Sequence, residues 1–414
     1  MKLTIPIIAL SATILLPSLA CRKSSVGAGV VHSISPVSGH FGTVLTIHGD
    51  HFDINNGYVM IGGVKMPVTR ITDTTITLTM TTTHTAPVIV KSTTGGSTTG
   101  PVFTYLTDTL VAGELTLNPG VPVVGFPYAY YWDNGIPFML RTILVGTTAT
   151  TTGIVASGND IFACGYQYYG QHTYALLWKN GAEEDLSQMA SQDARANAIA
   201  ASGNNVYVVG YLNTGNHAVA TVWVNGQPTA LSADTVDSYA NAIAISGNDI
   251  YIAGYRNQSN SSNHVALFWK NGDVTSLSDG SADATTTGIA VGGADVYVSG
   301  NMGGGILWKD GSSQALSFFP TSLTAFNGIL YLAGESVDYS GYSASVTTWG
   351  TASPGYYLGG LSVNAVTADS TGVYTANSGP SYSICTGQAA VTTVSLPVVS
   401  PQGFGAATAI YLRH

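Results

Sequence analysis

One recurring phrase restricts what this chain can fold into more than any other feature. All six tryptophans stand in it: Ala-Tyr-Tyr-Trp132-Asp-Asn-Gly, Ala-Leu-Leu-Trp178-Lys-Asn-Gly, Ala-Thr-Val-Trp223-Val-Asn-Gly, Ala-Leu-Phe-Trp269-Lys-Asn-Gly, Gly-Ile-Leu-Trp308-Lys-Asp-Gly and a shorter Thr-Thr-Trp349-Gly. The intervals are 46, 45, 46, 39 and 41 residues. A second phrase precedes each Trp, as in Gly203-Asn-Asn-Val-Tyr-Val-Val-Gly210-Tyr211 and Gly247-Asn-Asp-Ile-Tyr-Ile-Ala-Gly254-Tyr255. Before that comes an apolar run such as Ala242-Ile-Ala-Ile245. Each repeat reads as four short strands. Strand a (Ala-Ile-Ala-Ile) leads through a Gly-Asn-Asp hairpin to strand b, and a longer loop leads to strand c, which carries the Trp. An Asn-Gly hairpin then leads to strand d. Asn-Gly and Asn-Asp suit the positive φ angles of tight hairpins, so their recurrence reports turn geometry before it reports function. Four strands in a period of this length specify a β-propeller.

Strand-b phrases from Ile161, Val206, Ile250, Val296, Leu330 and Val373 mark six blades. A seventh begins at Asp108-Thr-Leu-Val-Ala-Gly113-Glu114 and leads to Trp132, with no strand a before it. The last residues, Ala406-Ala-Thr-Ala-Ile410-Tyr-Leu412, read as a strand a without a partner. The C-terminus is therefore expected to complete the first blade and leave the ring without free edges. The Trp is read as packing between blades, where a large flat ring buries much surface.

Upstream, Ile34-Ser-Pro36-Val-Ser-Gly39, Gly42-Thr43, Leu45-Thr-Ile47-His-Gly49-Asp-His-Phe52 and Val59-Met-Ile61-Gly62-Gly63 alternate apolar and polar residues between Gly and Pro turns. These residues resemble the TIG (IPT) immunoglobulin-like family. The resemblance implies a small β-sandwich that serves as a spacer or protein-contact module and has no catalytic residues to carry over. The neighbouring His48, Asp50, His51 and Asp53 are read as solvated loop polarity, because alternate strand positions point to opposite faces. The fold class is all-β: a TIG sandwich over 31–106 and a seven-bladed propeller over 107–414.

Charged residues make up 8% of the chain and Lys and Arg total 13. That profile fits an all-β extracytoplasmic protein. The formal charge of −9 is spread out with no basic stripe, which argues against nucleic acid as a partner. Residues 1–20 begin Met-Lys-Leu and continue with a short, Pro-broken apolar stretch, read as an export signal. Cys21 directly follows Ser18-Leu19-Ala20 and resembles the lipobox of bacterial lipoproteins, with Ser18 where Leu is usual. The resemblance implies lipidation of Cys21, a tether over 21–30 and an outer-membrane anchor. Which side of the membrane the protein faces stays open. Cys164 and Cys385 fall in the second and seventh blades and are read as small core residues, not as a disulfide.

Short a–b and c–d hairpins are expected on one face of the ring, and longer b–c and d–a connections on the other. The b–c loops carry polar aromatics, and variable loops on a rigid scaffold favour binding. The candidate ligand-binding residues are Tyr168, Tyr169, His172, Tyr211, Asn213, Tyr255, Asn257, Tyr339 and Tyr342. Tyr rings beside amides suit stacking on sugars and bonding to hydroxyls, or a protein patch. His172, His217 and His264 recur in successive blades, but on strand c the blades splay, so no metal site is expected. Glu114 and Glu335 follow the strand-b Gly and are read as a repeat position. No catalytic motif, metal or cofactor site is found. The reading is a monomeric, non-catalytic envelope protein that binds polysaccharide or an envelope protein. The alternatives are a carbohydrate-active enzyme, glycosidase or lyase, and a structural subunit of an envelope complex.

Overall fold

The computed structural model describes residues 29–414 apart from 54, 94–95, 117–126, 143–147, 188–192, 234, 260, 339–340, 350–355, 358–361, 379–380, 387–389, 396–403 and 414. The expected signal and Cys21 lie outside the described residues. Among the described residues there is no helix. The chain divides into two compact units between Leu106 and Thr107.

The first unit is a sandwich of two sheets. One holds Val30–Ser35, Val44–Asp50, Thr75–Thr79 and Val68–Ile71 in that order. The other orders Ser38–Gly39, Ser97–Tyr105, Ala86–Lys91, Tyr58–Ile61 and Val64–Lys65. Inward-facing residues of each sheet meet as a core: Leu45, Ile47, Ile76 and Leu78 against Val59, Ile61, Val88 and Phe103. His51 is exposed and His32 bonds Asp50 at 2.7 Å, as befits surface polarity. Asp53 departs from that reading. It is buried, and its carboxylate accepts Ser92 Oγ at 2.8 Å and the backbone N–H groups of Asn55 and Asn56. A buried carboxylate has to be hydrogen-bonded, and this one ties the Asp53 turn to the end of the Ala86–Lys91 strand.

The second unit contains seven four-stranded sheets, each ordered a-b-c-d. Blade 1 joins the two ends of the unit. Its inner strand, Phe404–Arg413, pairs antiparallel with strand b, Asp108–Thr116, from Thr116↔Phe404 to Asp108↔Arg413. Arg413 and Asp108 form a buried ion pair at 3.5 Å. Trp132, Trp178, Trp223, Trp269 and Trp308 are fully buried. Three of them also bond backward: the indole N–H groups of Trp178, Trp223 and Trp269 donate to the carbonyls of Arg141, Leu186 and Leu231, each just past strand d of the preceding blade. The recurring Trp is thus an apolar seam between blades, and at Trp178, Trp223 and Trp269 it is hydrogen-bonded as well. Cys164 is buried and unpaired, and burial pushes its thiol up to about 12. The side chain of Cys385 lies outside the described residues.

The Asn of each Trp-x-Asn-Gly hairpin does more than turn the chain. Asn180, Asn225 and Asn271 have φ near +50°. Their Oδ1 atoms accept the N–H groups of Ile161, Val206 and Ile250 at the start of strand b, and their Nδ2 atoms donate to Asp160, Asn205 and Asp249 of the neighbouring a–b hairpin. The two hairpins of a blade are clasped together, so both phrases recur together.

Strand a is longer than the Ala-Ile-Ala-Ile run. In blade 4 it spans Ser238–Ser246 and pairs with Asp249–Asn257, but the register skips Asn241. Every blade skips one residue at the same place: Thr152, Asn197, Asn241, Thr287, Thr321, Asn364 and Thr408. Each is a β-bulge, and the extra residue interrupts the alternation that would have revealed the full strand. The bulge also explains the strand-b Gly. A Cβ on Gly165, Gly210, Gly254 or Gly300 would overlap the backbone carbonyl of Thr150, Arg195, Tyr239 or Thr285 respectively. The displaced carbonyl occupies the space that any side chain would need.

Candidate functional site

The bulges build a polar belt around the ring axis. Thr152 Oγ1 donates to Ala196 O at 2.9 Å, Asn197 Nδ2 to Ala240 O at 2.9 Å and Asn241 Nδ2 to Thr286 O at 2.9 Å. Thr321 Oγ1 donates to Val363 O at 2.6 Å and Asn364 Nδ2 to Ala407 O at 2.7 Å. Each acceptor is the residue just before the next blade's bulge. All seven bulged residues line one cavity of about 250 Å³. Towards the hairpin face the lining is apolar, with Ile243, Ile289 and Leu323.

Towards the loop face lies a second tier. The residue after each strand-b Gly, or after Asn377 in blade 7, occupies one equivalent position per blade: Glu114, Tyr166, Tyr211, Tyr255, Asn301, Glu335 and Ser378. Its cross-strand partners on strand a include Thr150, Arg195, Tyr239, Thr285 and Phe319. The tier is uneven. Blades 2 to 4 hold a continuous aromatic arc. Arg195 lies over the Tyr166 ring at 4.1 Å, and Tyr166 meets Tyr168 edge-on at 5.4 Å. Tyr211 meets Tyr239 of the next blade at 5.1 Å, Tyr239 lies 5.0 Å from Tyr255, and Tyr255 meets His264 at 4.9 Å. Blades 1 and 6 hold the carboxylates of Glu114 and Glu335, with Thr150 Oγ1 donating to Glu114 at 2.9 Å.

The arc carries one charge. Burial raises the Tyr166, Tyr211 and Tyr255 phenols above their usual value, with Arg195 pulling the other way, and burial with Asp237 pushes Tyr239 up to about 12. All four are neutral at neutral pH. Arg195 is partly buried, its Nε has no hydrogen-bond partner, and among the described residues it makes no ion pair.

The sequence-derived residues divide in two. Tyr211 and Tyr255 lie in the arc, and Tyr168 stands at its rim, 50% exposed; Tyr169, 51% exposed, is the next residue of the strand and takes its other face. His172, Asn213 and Asn257 do structural work beside it. His172 Nδ1 lies 3.4 Å from Asp193, Asn213 Oδ1 accepts the Gly215 N–H, and Asn257 Nδ2 donates to Asp237. His217 and His264 repeat the first arrangement with Asp237 and Asp283. Those aspartates also accept the N–H that opens strand c, so the recurring His belongs to a cap on that strand. Tyr339 lies outside the described residues. Tyr342 sits on the Gly341–Trp349 strand, its side chain outside them.

The supposed b–c loops are mostly strand. In blade 2 the b–c pairing runs on through Tyr168↔Thr173 and Tyr169↔His172 to a two-residue turn. Arg195 and Tyr239 were missed because both precede a bulge, where the strand-a pattern breaks. Glu114 and Glu335 do occupy a repeat position, the one that Tyr166, Tyr211 and Tyr255 take in blades 2 to 4.

No curated protein matches the chain. Among solved structures it is similar to a protein of unknown function from Bacteroides thetaiotaomicron VPI-5482, at 14% identity and TM-score 0.36, covering 92% of this chain and 98% of that one. It is also similar to an auxiliary nutrient binding protein from the same organism, at 11% identity and TM-score 0.30, covering 94% and 95%. The β-propeller domain of the Trilobed protease from Pyrococcus furiosus matches at 9% identity and TM-score 0.37, covering 80% and 95%. Residues 30–105 match the family model of the IPT/TIG domain.

Proposed function

We propose that this is a non-catalytic binding protein of the bacterial cell envelope that takes a saccharide at the loop face of its propeller. The observation that carries the reading is the aromatic arc of blades 2 to 4, which ends in the half-exposed ring of Tyr168. Aromatic faces beside hydroxyls and a cation suit the apolar faces and the polar edges of sugar rings. The scaffold beneath is rigid, so little ordering opposes binding. Lipid on Cys21 would tether the protein to the membrane.

A second reading, a carbohydrate-active enzyme, draws on Glu114 and Glu335, which occupy equivalent positions in blades 1 and 6. Glycoside hydrolysis uses two carboxylates. One experiment separates the two. The full chain without its signal is titrated against a polysaccharide panel, and the supernatants are analysed for released oligosaccharide. Binding that is lost in Tyr168→Ala/Tyr169→Ala, with no product, supports the binding role. Released product that vanishes in Glu114→Gln or Glu335→Gln establishes the enzyme. The absence of both overturns the saccharide assignment.

A further inference from the structure

Arg195 is partly buried, and its Nε is withdrawn from water with no acceptor facing it. A buried N–H of a charged group costs stability unless a carboxylate or another acceptor meets it. Four other cations of this unit have carboxylate partners: Lys179 with Asp160, Lys270 with Asp249, Lys309 with Asp295 and Arg413 with Asp108. Arg256 donates to the Asn257 carbonyl instead. Arg195 has the Tyr166 ring at 4.1 Å and an unpartnered Nε. The nearby carboxylates are held elsewhere. Asp193 caps Thr173 N and lies against His172, and Glu114 is engaged by Thr150. The surrounding phenols are neutral and cannot compensate the charge. Equivalent strand-a positions in other blades carry Thr150, Tyr239, Thr285 and Phe319, so the repeat itself does not require a cation here.

We propose that Arg195 receives a carboxylate of the ligand, and that the mouth therefore selects uronic-acid saccharides over neutral ones. The inference rests on the saccharide reading above and deepens it. A sugar ring stacked on the arc would bring an equatorial carboxylate to a guanidinium already seated over the Tyr166 ring. The planar fork can meet both oxygens, which an ammonium cannot. Glu114 and Glu335, in the same tier, would repel a second acidic residue placed on blades 1 and 6, so the acidic sugar is confined to blades 2 to 4.

The test changes the ligand before it changes the protein. Oligogalacturonate, its methyl ester and the neutral galactose oligomer of equal length are titrated calorimetrically against the full chain without its signal, at low and at high salt. The free acid is expected to bind about tenfold or more tighter than the ester. Arg195→Gln should weaken the free acid far more than the ester and so erase the difference between them, and Arg195→Lys should restore only part of it. Thermal melts of both variants establish that they fold. Equal affinity for acid and ester on the unaltered protein overturns the inference and leaves the saccharide reading standing. Loss of all three ligands overturns both. An acidic peptide of equal charge that binds as tightly as oligogalacturonate also overturns the assignment, because stacking would then contribute nothing.

Discussion

The carbonyl oxygen of Arg195 occupies the space in which Gly210 would carry a Cβ. The pair links the most regular feature of the sequence to the least regular residue of the site. Gly210 is fixed by the bulge at Asn197, and the same bulge sets the backbone from which Arg195 reaches Tyr166.

Gly210→Ala should therefore destabilise the propeller by about 1–3 kcal/mol, the range for overpacking a filled site. The neighbour is backbone and cannot rotate away. All six Trp lie in this unit, so Trp fluorescence in a urea titration reads it directly. A midpoint equal to that of the unaltered protein would contradict the account of the Gly.

Removing residues 404–414 should unfold the ring as a whole. Without its inner strand, blade 1 presents the open edge of Asp108–Thr116, and Asp108 is left as a buried carboxylate without Arg413. Thermal melting should lose its cooperative Trp transition, and proteolysis should cut throughout the unit. A truncated chain with unchanged melting temperature would disprove closure by the C-terminus.

Asn241→Ala removes the donor to the Thr286 carbonyl and should cost about 0.5–1.5 kcal/mol, the net value of one such bond. Asn364→Ala does the same to Ala407 at another seam. The double variant should show the sum within about 0.5 kcal/mol, since the two seams share no partner. A much larger combined loss would mean that the belt acts as one cooperative ring.

The sandwich carries its own acid sensitivity. The Ser92 hydroxyl, with the N–H groups of Asn56 and Asn55, holds the Asp53 carboxyl below its ordinary 3.8. A lowered folded value gives stability that is complete above 3.8 and is lost as pH falls through the folded value. Hydrogen exchange over residues 30–105 should accelerate in that window. Ser92→Ala should flatten the pH dependence while accelerating exchange at neutral pH. An unaltered profile would show that Asp53 is not the titrating group.

Much of this molecule was legible in its residues. Trp178-Lys-Asn-Gly and Gly247-Asn-Asp announce hairpins because positive φ restricts residue choice, and Ala406 to Leu412 read as a strand in search of a partner. The bulges were not legible. Periodicity records which face a residue takes, and one extra residue flips the face, so the alternation breaks at Asn197 and Asn241. Everything upstream of them, Arg195 and Tyr239 included, was read as connection. The site was half visible for the same reason: Tyr211 and Tyr255 lie on strand b, where the pattern holds, and their partners lie beyond the break on strand a. Asp53 was misjudged because sequence proximity to His51 and Asp50 says nothing about Ser92, which folding brings to it.

Blade 1 also sets an order of events. Its strand b is among the first parts of the unit to leave the ribosome, and its strand a is the last. Every other blade can form from contiguous residues as they emerge, but the first sheet waits with one edge bare until Phe404–Arg413 has been made. Closing so long a loop is slow compared with making a local hairpin. Phe404–Arg413 therefore acts as a latch: without it the ring cannot shut, and quality-control proteases would meet an open edge in place of a sealed one.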